Sequence, residues 1–230
     1  MVHMRLHYFY IEFRFHRYPK KYLKDLIRKV SSGFRGRLPP HVTLYGPFET
    51  RECRGVFSRI EKVAKKYTLV PFSIHGFEPH EGKKGKVIAA HIIAPPELKS
   101  LRRELAEELN KIVKIDDRRP WDNEGSYWFH STIAQKITDQ RKFEQIWHDV
   151  NKNKKPHINQ HLVRITVLNR RERIELEYDL MFKRWLTRRE ALSRHLWRKT
   201  INRLRELQGL PPEREPSRMH WLRRIFRWLS

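Results

Sequence analysis

Between Tyr8 and Phe15 the chain alternates, with Phe9, Ile11, Phe13 and Phe15 on one face and Tyr8, Tyr10, Glu12 and Arg14 on the other. A period of two marks a half-buried strand. Tyr22, Leu23, Leu26, Ile27 and Val30 then recur at helical spacing after Pro19 and stop at Ser31-Ser32-Gly33, predicting a short amphipathic helix. Leu38-Pro39-Pro40 disfavours helix and delivers His41-Val-Thr-Leu-Tyr45 in extended form. A second helix is predicted around Val56 to Lys66, and strands at Pro71 to Phe77 and Val87 to Ala94 flank the Gly82-Lys-Lys-Gly85 turn as a hairpin.

The order then repeats. Leu98, Leu101, Leu105, Leu109 and Ile112 define a longer helix, Trp128-Phe-His-Ser-Thr-Ile133 a second strand carrying His-x-Thr, and Phe143, Ile146, Trp147 and Val150 another helix face. Val163, Ile165 and Val167 alternate, as do Ile174, Leu176, Tyr178, Leu180 and Phe182, across an Asn169-Arg-Arg-Glu172 turn. The body, residues 1–182, therefore reads as two related lobes of an α+β protein. From 183 to 230 the pattern is helical: a Thr187-Arg-Arg-Glu190 capping box, then Leu192, Leu196, Ile201, Leu204 and Leu207, ended by Gly209-Leu-Pro-Pro212. Beyond Ser217, Trp221, Leu222, Ile225, Phe226 and Leu229 alternate with arginines as in a basic amphipathic helix.

Composition adds a partner class to this picture. The 230 residues contain 50 Lys and Arg against 26 Asp and Glu, a formal +24, with 39% hydrophobic residues placed periodically enough to form a core. The segment 183–230 has 14 basic and four acidic residues, 14 − 4 = +10. Such a field favours RNA, DNA or an anionic membrane surface. The single cysteine, Cys53, excludes an intramolecular disulfide and a cysteine-based zinc cluster. With no long apolar run and no signal-like start, the expectation is a cytoplasmic protein.

The two His-x-Thr segments carry the chemistry. In a strand, residues two apart share a face, so His41 with Thr43, and His130 with Thr132, each present an imidazole beside a hydroxyl. The histidines lie 130 − 41 = 89 residues apart. With an ordinary pKa near 6.5, one imidazole can donate a proton while another accepts one at neutral pH, which suits in-line attack at phosphorus without a metal. Either motif alone is more often structural; the duplication makes the case. Tyr45, Phe48, Tyr127 and Trp128 flank the motifs and could stack a nucleobase or pack in the core.

His41-Val-Thr-Leu-Tyr-Gly-Pro-Phe48 and His130-Ser-Thr-Ile-Ala134 resemble the two signatures of the two-histidine (2H) phosphoesterase superfamily, especially its 2′-5′ RNA ligase-like branch. The resemblance covers about residues 5–182. It implies a bilobal fold, antiparallel sheets facing a central basic cleft, one His-x-Thr per lobe, no cofactor and no metal. It further implies that His41 is the general acid toward a departing ribose 3′-oxygen, that His130 activates water, and that Thr43 and Thr132 hold the phosphate. Many relatives carry an arginine after the second motif; here Gln135 and Lys136 stand in that region as candidate substrate contacts.

The leading expectation is hydrolysis of RNA 2′,3′-cyclic phosphate ends to 2′-phosphates, with 2′-5′ ligation as a related capability and no obligate protein partner. Three alternatives stand beside it: a phosphodiesterase for a small cyclic nucleotide or nucleotide-derived diester, a non-catalytic RNA-binding module, and a peripheral membrane protein held by the C-terminal helix. Other clusters point less to chemistry. His157 and His161 have helical metal-ligand spacing but follow Pro156 and adjoin a strand, Asp116, Asp117, Asp122 and Glu124 read as a solvated loop, and Gly82-Lys-Lys-Gly85 lacks the length of a phosphate-binding loop.

Overall fold

The computed structural model describes residues 6–30, 39–82, 84–113, 127–152 and 156–213. The expected segment around Trp221 and the carboxylates at 116, 117, 122 and 124 lie outside the described residues. In chain order the elements are β1 (His7–Arg14), α1 (Arg17–Val30), β2 (His41–Thr50), α2 (Cys53–Ala64), β3 (Val70–Gly82), β4 (Gly85–Ile93), α3 (Pro96–Asn110) and β5 (His130–Ile137). There follow α4 (Gln140–Asn151), β6 (His157–Leu162), β7 (Arg164–Asn169), β8 (Ile174–Asp179), β9 (Arg184–Thr187), α5 (Arg188–Ala191) and α6 (Arg194–Leu207).

The strands form two sheets, one of five strands in the order β2-β1-β7-β8-β9 and one of four in the order β5-β4-β3-β6, and every pairing is antiparallel. The fold is thus α+β and bilobal, as the alternation predicts. The hairpin after each motif, however, belongs to the other motif's sheet: β3 and β4 follow β2 in sequence but join β5, while β7 and β8 follow β5 but join β1 and β2. Each motif strand is an edge strand of its sheet, and the two edges lie against each other.

Alternation on β1 separates an apolar face from a polar one. Phe9, Ile11, Phe13 and Phe15 are all buried, and Phe13 stacks at 4.9 Å, tilted, on Phe72 of the other sheet. One apolar cluster runs through both sheets, so the lobes share a core. Each such ring or branched chain withdrawn from water contributes roughly 1.5–3 kcal/mol. Across the strand, the register aligns Glu12 with Thr43 and with Thr166, and Thr166 with Glu177, a row of polar side chains of which Glu12, Thr166 and Glu177 are fully buried.

The C-terminal part departs from the expected uninterrupted helix. Residues 184–187 form β9 and pair with β8; Trp185 packs on Phe57 and Tyr178 and donates its indole N–H to Glu61. The Thr187–Glu190 capping box is present, but α5 is only four residues long, and Ser193 caps a separate α6. Helix α6 is fastened by a buried polar network: Arg164 donates to Glu177, Asp179 and Thr200, Thr200 also donates to Asp179, and the guanidinium lies 4.0 Å from the Trp197 ring.

Candidate active site

His41 and His130 open β2 and β5, and Thr43 and Thr132 follow on the same faces while Val42 and Ser131 turn inward and are buried. The same local hydrogen bond orients both rings. Nδ1 of His41 donates to the Pro39 carbonyl at 3.0 Å, and Nδ1 of His130 donates to the Trp128 carbonyl at 2.9 Å. With Nδ1 donating, Nε2 of each ring is the nitrogen turned away from the backbone, and in His41 it meets the Tyr10 hydroxyl. Two imidazoles are thus held in the same way, through Nδ1, at the start of two edge strands that lie against each other.

The lobes are tied at this point by Tyr127, whose hydroxyl donates to the Thr43 carbonyl at 2.8 Å while its ring lies 4.0 Å from the Arg102 guanidinium. Tyr127 therefore connects the approach to β5 with β2 and helps set the spacing of the motifs.

The surroundings of the two histidines differ. Next to His41, the Tyr10 hydroxyl sits 3.3 Å from Nε2 and is hydrogen bonded to Thr43. The Glu12 carboxylate, wholly buried and held by Arg14 at 2.6 Å, lies 3.6 Å from His41 Nδ1. Burial pushes the Tyr10 phenol well above its ordinary range and keeps it a neutral hydroxyl. His130 is held below the usual histidine range, chiefly because burial disfavours its charged form, with the positive field of His41 acting in the same direction and the Trp128 carbonyl and Glu78 opposing it.

Other residues singled out by sequence fall in different places. Tyr45 and Phe48 are 1% and 4% exposed, pack edge-on at 5.3 Å within the core, and Tyr45 donates to Asn110. Their assignment as base-stacking contacts is corrected: the register shift between Glu12–Thr43 and Ile11–Tyr45 leaves Leu44 as an extra residue, so alternation breaks and Tyr45 turns into the core, where Phe48, opposite Phe9, is buried as well. Gly46 is needed there, since its φ of +93° and a Cβ position 3.0 Å from the Phe48 ring exclude a side chain. Trp128 is half-buried, with one face on His130 and the other on His80. Gln135 and Lys136 are exposed where β5 bulges against β4, with Lys136 at a φ of +60°. His157 and His161 lie on a strand, where four-residue spacing separates side chains by about 13 Å. Among the described residues no group of three or more His, Cys, Asp or Glu could hold a metal ion.

Sequence reasoning missed Tyr10, Glu12 and Glu78 as members of the site. The polar face of the alternating first strand was the available signal for Tyr10 and Glu12, but only the β1–β2 register reveals which motif that face meets.

The model of the 2′-5′ RNA ligase superfamily matches residues 19–173. A Bacillus cytotoxicus protein named "Putative phosphoesterase" is 30% identical over 131 residues, covering 53% of this chain and 68% of that protein. Among solved structures, TT0787 of Thermus thermophilus is similar at a TM-score of 0.48 and 13% identity, covering 75% of this chain and 97% of that one. Kluyveromyces marxianus Usb1 with uridine monophosphate is similar at 0.40 and 12%, covering 73% and 95%. The match over residues 19–173, together with the paired His-x-Thr strands, shows that the chain belongs to the 2′-5′ RNA ligase superfamily of two-histidine phosphoesterases.

Proposed function

We propose that the protein is a phosphodiesterase that opens RNA 2′,3′-cyclic phosphate ends to 2′-phosphates, with His41, Thr43, His130 and Thr132 as its catalytic residues. Membership of the superfamily supports an enzyme acting on RNA or nucleotide phosphodiesters. The observation that carries the finer reading is the pairing of two histidines, each held through Nδ1 by the backbone two residues upstream, with unlike surroundings.

The reaction balances on these two rings. Neutral His130 takes a proton from water as the water oxygen bonds to phosphorus, the bond from phosphorus to the ribose 3′-oxygen breaks, and protonated His41 gives its proton to that oxygen. The phosphate remains on the 2′-oxygen. Thr43 and Thr132 donate to nonbridging oxygens as charge builds, each contributing about 2–4 kcal/mol if well aligned in a dry site. Both proton transfers are supplied by side chains, so the chemistry requires no metal. Tyr127, Gln135 and Lys136 would contribute to holding the RNA near the cleft.

The net +24 supports a polyanionic substrate, and the basic residues from 183 onward extend the same field beyond the 1–182 body. No described helix is long and apolar enough to cross a membrane. A cytoplasmic setting is part of this reading, resting on the single cysteine.

The test is product mapping. Short RNA with a 2′,3′-cyclic phosphate is incubated with the protein in EDTA and the ends are separated: 2′-phosphate supports the proton roles assigned, 3′-phosphate reverses them, and unchanged RNA removes the proposed substrate.

A further inference from the structure

Trp128 stands two residues before His130, and its surroundings give it a different task from gripping RNA. Its indole lies parallel to the His130 imidazole, with ring centroids 3.8 Å apart and an interplanar angle of 14°. Its other face carries His80 at 4.4 Å and 29°. The indole N–H donates to one oxygen of Glu78, and the second oxygen of the same carboxylate accepts from Nδ1 of His91 at 2.7 Å. Both faces and the one polar atom of the side chain are thus engaged, while its backbone carbonyl accepts the His130 Nδ1 proton.

We propose that Trp128 is a positioning residue for His130, clamped by Glu78, and that it fixes the plane of the imidazole rather than stacking a nucleobase. This rests on the reading of His130 as a catalytic group. The Nδ1 hydrogen bond sets where one edge of the ring points, and contact with a flat indole removes the remaining freedom of the ring to swing out of plane. Displacement of a reacting group by about 1 Å can cost on the order of 100-fold in rate, so a device of this kind acts on kcat rather than on affinity.

The anchor is built into the sheet. Glu78 on β3 is aligned with Ala89 on β4, and Ala89 with Thr132 on β5, so the carboxylate shares a face with the second motif two strands away. His91 is aligned with His130 itself. The titratable groups around His130 are accordingly Glu78 and His80 from β3, His91 from β4, and, across the cleft, His41 with Tyr10 and Glu12 behind it. Glu78 is the one anion among those on its own sheet, and its field favours the protonated ring. Among the described residues His41 has no counterpart to this clamp: its aromatic neighbour Tyr10 meets it edge-on at 5.9 Å and 85°.

Two measurements on the full chain test the proposal. Imidazole NMR titration, which needs no turnover, is expected to show the His130 pKa lower in Glu78→Gln than in wild type. Steady-state kinetics on RNA with a 2′,3′-cyclic phosphate end are expected to show kcat reduced about 10- to 100-fold in Trp128→Ala with KM within about twofold, and only partly restored in Trp128→Phe, which keeps a flat ring but loses the hydrogen bond to Glu78. A raised KM with unchanged kcat in Trp128→Ala would mean that the indole binds substrate and would overturn the proposal, as would an unaltered His130 titration in Glu78→Gln. If Trp128→Ala does not fold, Trp128→Phe and Glu78→Gln decide by the same readouts. Absence of turnover in wild type would count against the proposed reaction, and the titration would still decide on the clamp.

Discussion

The Tyr10 hydroxyl reaches both members of the first motif: it lies 3.3 Å from Nε2 of His41 and is hydrogen bonded to Oγ1 of Thr43. A neutral phenol at that point can donate to the lone pair of His41 or to a phosphate oxygen that displaces it. Tyr10→Phe removes the hydroxyl and leaves the ring in place. A single hydrogen bond of this type is worth about 0.5–1.5 kcal/mol, so kcat/KM is expected to fall about 2- to 10-fold with unchanged thermal stability. Steady-state kinetics beside a melting curve measures both.

As the proposed base, His130 is expected to set the acid side of the activity profile. Its pKa in the folded protein lies below the ordinary histidine value, so the ring stays neutral, and able to accept a proton, at pH values where an exposed histidine is already charged. The fall of kcat/KM toward acid is therefore expected to begin below about pH 6.5. A pH profile with its acid limb centred above that value would contradict the assignment of His130 as the base.

His16 contributes to stability rather than to chemistry. Burial holds its pKa down to about 4, and Nε2 donates to the His161 carbonyl at 3.2 Å. Above about pH 6.5 neither the folded nor the unfolded chain protonates it. Between 6.5 and 4 only the unfolded chain binds the proton, so stability is lost as pH falls through that window, by at most about 3 kcal/mol at 1.36 kcal/mol per unit. Urea denaturation from pH 7 to 4 is expected to show a shallower loss in His16→Gln, which keeps a donor but cannot take up the proton.

The Arg164 network fastens α6 to the five-stranded sheet. Arg164→Ala leaves Glu177 and Asp179 buried without their cation, a change expected to destabilise by about 3–5 kcal/mol. Thr200→Val removes one hydrogen-bond partner and is expected to cost about 1–3 kcal/mol. Chemical denaturation ranks the two; equal or negligible losses would show that α6 is held by its apolar contacts instead.

Residues 214–230 hold five arginines and one glutamate. If those arginines meet RNA phosphates, removing the segment makes the dependence of log KM on log salt shallower by at most about 3.5, at 0.7 per phosphate for a single strand. KM measured at four salt concentrations for the full and shortened chains distinguishes this from a segment with no part in RNA binding, for which the slopes coincide.

Local periodicity made most elements legible, because burial follows spacing: the alternation of Phe9, Ile11, Phe13 and Phe15 and the helical recurrence of Leu98, Leu101, Leu105 and Leu109 appear as buried faces. The motif histidines were equally legible as residues sharing a strand face with their threonines. Exchange of hairpins between lobes was not, since strand partners are chosen by long-range packing that leaves no mark on the spacing of Val163, Ile165 and Val167. Strand β9 was hidden for another reason: Arg184-Trp-Leu-Thr187 is too short to display a period, and its place is set by Trp185 entering the core against Phe57 and Tyr178. Tyr45 and Phe48 misled because an aromatic beside a motif has the same composition whether it faces the cleft or the core.

In the proposed reaction His41 and His130 together perform proton transfer on an RNA phosphodiester. Its most direct test is single-turnover opening of a 2′,3′-cyclic phosphate RNA end in EDTA by wild type, His41→Ala and His130→Ala at matched folding. The account predicts conversion to 2′-phosphate by wild type and a loss of at least about 100-fold in each variant, the scale of a general acid or base. Retained activity in either histidine variant, or loss of wild-type activity on chelation, would contradict it.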